Sequence, residues 1–139
     1  ILGACSDKDN VDLSEASSVD EDNVTSEYYE SMVTMVNAFP IYAEKMQPRV
    51  VHDSTVRHES KEYLMLINSL DLTPISKVDK ELDKYVYEFK FQSEMVAEYM
   101  LDYAESDDLD DKITASEYID EAVKTFYMIK AIGDKYDLE

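Results

Sequence analysis

The chain has 139 residues, enough for one domain, and its 32 acidic and 13 basic residues give a formal net charge of −19. That balance argues against recognition of a phosphate backbone, which needs a basic face, and against docking on anionic headgroups by charge. Two glycines and three prolines are too few turn formers for an all-β fold or a glycine-rich phosphate loop, so the expected class is all-α.

In chain order, the first feature is Ile1-Leu2-Gly3-Ala4-Cys5-Ser6, which holds the single cysteine. An apolar residue, two small residues and a cysteine, followed at once by polar sequence, resemble the lipobox of bacterial lipoproteins over Leu2-Gly3-Ala4-Cys5. The resemblance implies a diacylglyceryl group on the Cys5 thiol and cleavage by signal peptidase II just before it, with residues 1–4 as a signal-peptide remnant. It also implies a location on the extracytoplasmic face of a bacterial membrane. Ser6 after the cysteine, where aspartate would retain the protein, favours the outer membrane in a Gram-negative host. Two acyl chains anchor stably where one gives only marginal binding, at about 0.8 kcal/mol per buried methylene. A lone cysteine forms no internal disulfide, and no cofactor beyond the lipid is expected.

Residues 6–24 carry seven acids and one base, a net of −6. So few apolar groups cannot offset the entropy of ordering, so residues 5–24 read as a lipid-anchored flexible linker with a reach of roughly 25 Å. The bundle domain is expected over 25–137. Its first helix starts at Thr25 or Ser26, with Tyr29, Met32, Val33, Val36, Phe39, Ala43 and Met46 at three- and four-residue steps. Pro40 falls inside that stripe and predicts a kink or a split, and Pro48 a stop. A second helix is expected within 49–71, best patterned at Tyr63, Leu64, Leu66, Ile67 and Leu70. Thr73-Pro74 reads as a cap followed by proline at the first helical position. A third helix of about thirty residues follows, with Ile75, Val78, Leu82, Tyr85, Phe89, Val96, Tyr99 and Tyr103 on one face and Gln92-Ser93 as a polar layer. A fourth is expected over 115–136, with Tyr118, Ala122, Val123, Phe126, Ile129, Ile132 and Tyr136 inward and Thr114-Ala115-Ser116-Glu117 as a capping box. Three to four amphipathic helices with short connections predict an antiparallel bundle.

Three site chemistries bear on these residues. Ser106 to Glu117 resembles a degenerate EF-hand loop, with Asp108 and Asp110 at oxygen-ligand positions three and five, Ile113 at eight and Glu117 at the bidentate twelfth position. Ser106 replaces the first aspartate and Asp111 the turn glycine. An acidic interhelical loop with a helix cap explains the same residues without a metal, so no metal site is expected. A di-iron bundle needs Glu-x-x-His pairs, but Arg49 and Thr55 stand three before His52 and His58. The lone cysteine is consumed by its anchor, and no Ser–His–acid motif is recognisable, so the chain is not read as an enzyme.

The eleven tyrosines and seven methionines instead supply a core with amphipathic rims. Tyr28, Tyr42, Tyr87 and Tyr127 lie off the main stripes, where exposed tyrosines and methionines could form a partner-binding surface, and the partner-binding residues stay open. The functional expectation is a lipid-anchored binding module for a protein or peptide with a basic surface. In size, anchor and helicity the chain is similar to small surface lipoproteins, among them prophage-encoded exclusion proteins that block incoming phage DNA, though no motif in the domain is shared. Two alternatives come from other classes: an intracellular acidic decoy of nucleic acid or neutraliser of a basic protein, and a weak extracellular divalent-cation binder.

Overall fold

The computed structural model describes residues 19–48 and 53–138; Cys5, the lipobox, His52 and most of the acidic linker lie outside the described residues. Four helices carry the architecture: α1 Ser26–Lys45, α2 Ser54–Asn68, α3 Lys77–Ser106 and α4 Leu109–Lys135. All regular structure among the described residues is helical.

Side-chain partners give the helix directions. Thr25 meets Asp79, Tyr28 meets Asp83 and Phe39 meets Phe89, so α1 and α3 run the same way. Tyr118 packs on Phe91 and Tyr99, while Lys135 and Tyr136 reach back to Glu81, so α4 returns antiparallel to α3. α2 lies between α1 and α3, with Tyr63 against Phe39 and Tyr42. The result is an antiparallel bundle built around α3.

α1 runs unbroken through Pro40. A proline here deletes the amide donor to the Val36 carbonyl, and because Pro40 is solvent-exposed, water can serve that carbonyl instead. α2 is shorter than its pattern, beginning after Asp53, whose carboxylate accepts from the Thr55 amide at 3.0 Å.

Two starts differ from expectation. α3 is capped by Ser76, not by Thr73-Pro74. The Ser76 hydroxyl accepts from the Asp79 amide at 3.0 Å and the Asp79 carboxylate accepts from the Ser76 amide at 3.1 Å. This reciprocal pair wins because Asp79 also accepts from the Ile75 amide, the Thr25 amide and the Thr25 hydroxyl, at 2.9, 2.9 and 2.7 Å. α4 begins at Leu109, six residues before the expected start, behind Asp108, which accepts from the Asp110 amide at 3.0 Å. The early start follows from the end of α3: Asp107 takes the left-handed conformation (φ 58°), and the chain reverses in two residues. Thr114 to Glu117 therefore lies inside α4, and Ala115 is fully buried against α3 rather than serving a cap.

The linker boundary also shifts. Asp20 to Asn23 forms a turn in which Asp20 accepts from the Asp22 amide at 3.0 Å, and Val24 packs on the core.

The core runs along α3 through Leu82, Val86, Phe89, Val96 and Met100, met by Met35 of α1, Ile67 of α2 and Ala122 of α4. A polar layer crosses it where expected. Gln92 and Ser93 are buried on α3, as Ser60 and Tyr63 are on α2, and the Ser93 hydroxyl donates to the Phe89 carbonyl at 2.8 Å. The Tyr63 and Ser60 hydroxyls make no hydrogen bond there, and burial drives the Tyr63 pKa well above the ordinary tyrosine range.

Candidate binding groove

In a closed up-down-up-down bundle the first and last helices pack together and complete the ring. Here α1 and α4 each rest on the rest of the bundle but barely meet one another. Between them runs an apolar trough. Its upper part, about 460 Å³, is walled by Val36, Phe39, Pro40 and Ala43 of α1 and by Ile119, Val123 and Phe126 of α4, with Phe89 of α3 as floor. A second recess of about 210 Å³ continues it past Val36 and Phe126, between Tyr29, Met32 and Val33 on one side and Ile129, Gly133 and Leu138 on the other. The two share Val36, Asn37 and Phe126, so they form one groove along the helix axes.

The sequence dictates this opening through three constraints. The α3–α4 link is too short to let those helices part, so α4 is committed to α3. α1 is pinned at its start by the Thr25–Asp79 pair and by the Tyr28 hydroxyl, which donates to Asp83 at 2.8 Å. Further along, Phe39 is held edge-on to Phe89 and against Tyr63, which draws α1 towards α2. The apolar stripes on α1 and α4 are wider than these contacts use, and their unused edges face each other across the gap.

The groove's edges are amphipathic. Val123, on the α4 wall, is 42% exposed. Helical spacing of 3.6 residues per turn sets Glu30 and Glu44 just outward of the groove wall on α1, and Asp120 likewise on α4; all three are exposed. Lys130 and Asp134, which border the lower recess, pair with each other at 3.4 Å.

The four off-stripe tyrosines have different fates. Tyr28 is not exposed: it is 1% accessible, and burial together with its bond to Asp83 raises its pKa far above the ordinary range. The expectation failed because Tyr28 lies on the side of α1 turned to α3, where a phenol fits when a carboxylate waits for its hydroxyl. Tyr42 is half-buried over Tyr63, with ring centroids 5.2 Å apart. Tyr87 is 72% exposed on the outer face of α3, away from the groove. Tyr127 is 61% exposed on α4, its ring 5.5 Å from that of the groove residue Phe126. Two residues read as inward also turn out: Ile75 lies outside α3, and Val123 borders the groove.

The acidic segment does not form a ligand loop. From position four of the expected EF-hand onward the backbone is already α4, so Asp110 and Glu117 stand two turns apart, about 10 Å along the axis. Asp108 spends a carboxylate oxygen on capping. Among the described residues no group of three or more metal-ligating side chains comes together. His58 pairs with Glu62 at 3.5 Å on the exposed face of α2, and that pair is the extent of the arrangement.

Asp79, at the start of α3, is a structural clamp. Burial alone would raise its pKa, but the bonds from Thr25, Ile75 and Ser76 outweigh it and hold the carboxyl below the usual aspartate range. It ties the start of α1 to the start of α3. None of the described helices is long and apolar enough to cross a membrane.

The sequence signal for the groove was present but ambiguous. In the upper part of the groove every wall residue except Asn37 and Pro40 reads as ordinary core, and Pro40 and Asn37 on the same face of α1 were the hint that this face is not fully packed. No family model, no curated protein and no solved structure matches the chain.

Proposed function

We propose that this chain is a lipid-anchored binding module, held on the extracytoplasmic face of a bacterial membrane by a diacylglyceryl group on Cys5, that engages a protein or peptide partner and carries out no catalysis. The observation that carries the binding reading is the α1/α4 groove, a continuous apolar trough floored by the core residue Phe89 and left uncovered by the described residues. Leaving apolar surface in water forgoes roughly 25 cal/mol per Å², and a partner's apolar face laid over the groove recovers it. The anchoring reading is supported by Leu2-Gly3-Ala4-Cys5 and by the acidic linker that follows.

Each half has its own test. Intact mass and membrane fractionation of the protein expressed with a complete signal sequence, beside Cys5→Ala, address the anchor. A diacylglyceryl-sized mass increase and membrane retention, both lost in the variant, support it. An unmodified soluble protein overturns it and favours the intracellular acidic decoy, the reading that the net charge of −19 also accommodates. For the groove, binding of the neutral dye Nile red to the native protein is expected, and Val123→Asp should abolish it without changing the melting temperature. Equal dye binding by both proteins removes the groove from the account.

A further inference from the structure

We propose that the occupant of the α1/α4 groove is an amphipathic helix with basic flanks, supplied by a partner, which lies along the seam as the helix the bundle lacks. This inference rests on the reading of the groove as a binding site and adds the shape and charge of what enters it.

The shape follows from the walls. They are two antiparallel helices, and the wall residues of α1 run from Tyr29 to Ala43, about 21 Å along the axis. A trough of that length between two helices accepts a third helix of about four turns, with anchors at i, i+3, i+4 and i+7 dropping between Val36 and Phe126 towards Phe89. An extended strand has no sheet edge to pair with, because the described walls are helical.

The charge follows from the rims. Glu30 and Glu44 on α1 and Asp120 on α4 stand where the flanks of such a helix would pass. Lys130 is already paired with Asp134. Desolvating these carboxylates against an apolar or acidic flank is costly, whereas lysine or arginine side chains lay their methylenes along the rim and bring the charge to the carboxylates. The same argument disfavours two other occupants. A second copy of this chain presents the same acidic rims and brings another −19 of net charge, and the chain's own residues 6–24 carry a net of −6.

The test uses two designed peptides of about fifteen residues with the same leucine face, one flanked by lysine and one by glutamate. Their binding to the full-length protein is followed by fluorescence anisotropy at low and high salt. The lysine peptide should bind at least about tenfold tighter than the glutamate peptide, with the advantage shrinking as salt rises. In the rim variant Glu30→Lys/Glu44→Lys/Asp120→Lys, whose three sites are exposed and leave the fold intact, that preference should reverse. Val123→Asp should weaken both peptides. If both peptides bind the parent equally, through Val123, the groove is a binding site but the charge assignment is wrong. If neither peptide binds, or if sedimentation shows that the protein itself dimerises through Val123, the helical-partner inference is overturned. The Nile red result then decides separately whether the groove reading survives.

Discussion

The seam between α3 and α4 and the seam between α1 and α4 are built from similar material, aliphatic and aromatic residues at helical spacing, yet the first is packed apart from a recess beside Tyr85, Met128 and Ile132, and the second is an open groove. α3 and α4 are joined by a two-residue reversal at Asp107–Asp108 and are tied at the far end, where Lys135 meets Glu81 at 3.0 Å and the Tyr136 hydroxyl donates to the same carboxylate. Lys112 also lies over the Tyr103 ring, 5.9 Å from its centroid. α1 and α4 are separated by most of the domain's length, and what holds α1 in place draws it elsewhere: Asp79 and Asp83 towards α3, Tyr63 towards α2. Hydrophobic pattern therefore specifies which faces seek burial. Link length and a few polar anchors specify which of those faces obtain it.

The largest expected effect tests whether the two seams share one floor. Phe89 is 1% exposed and sits beneath the groove, so Phe89→Ala should cost about 3–5 kcal/mol in chemical denaturation, as for other buried phenylalanines. A cost under about 1 kcal/mol would mean that the floor is already loosely packed.

The clamp comes next. Asp79→Ala leaves the Thr25, Ile75 and Ser76 donors without their acceptor and should cost about 2–3 kcal/mol. The pH dependence has a definite sign. Because the folded pKa of Asp79 lies below its unfolded value, its stabilisation is fully present above about pH 4 and is lost as pH falls towards the folded pKa. The parent should therefore lose more stability than Asp79→Ala on acidification below pH 4. Parallel acid profiles would show that Asp79 contributes no linkage.

A smaller effect is expected from Tyr28→Phe, which deletes the hydroxyl bonded to Asp83 while keeping the ring. It should cost about 1 kcal/mol, read as a shift in the denaturation midpoint with unchanged slope. The smallest is at the open seam. Val123→Ser should change stability by no more than about 0.5 kcal/mol, because that side chain is 42% exposed, while reducing Nile red binding. A loss of several kcal/mol there would mean that the α1/α4 seam is packed after all.

Much of the fold was legible from the chain. Helix class, the length of α3 and the Gln92-Ser93 polar layer follow from residue spacing, whereas the α1 stripe does so in part: Met32 and Phe39 are buried as expected, but the core face turns through Tyr28 and Met35 and leaves Val33 and Val36 half-buried at its edge. Helix starts were less legible, because several polar residues compete as caps and tertiary partners decide between them. Ser76 prevails over Thr73 because Asp79 is recruited from both sides, and Asp108 prevails over Thr114 because the left-handed Asp107 reverses the chain early. The fate of Tyr28 was hidden for a related reason: its acceptor, Asp83, lies 55 residues away in sequence. The groove was the least legible feature. Val36, Phe39 and Phe126 look like core in any helical pattern, and only the arrangement of three neighbouring helices reveals that they border a gap. Cys5 stands at the opposite extreme, read from a four-residue motif on which the fold has no bearing.

The most direct test of the open seam is solvent paramagnetic relaxation of the valine methyl groups, measured by NMR with a neutral soluble probe and no ligand. Val123 and Val36, on the groove walls, should be broadened well beyond Val78, Val86 and Val96, which are at most 1% exposed in the core around α3. If Val36 and Val123 are instead as protected as Val96, α1 and α4 close on each other in solution, and the account of an uncovered binding groove is contradicted.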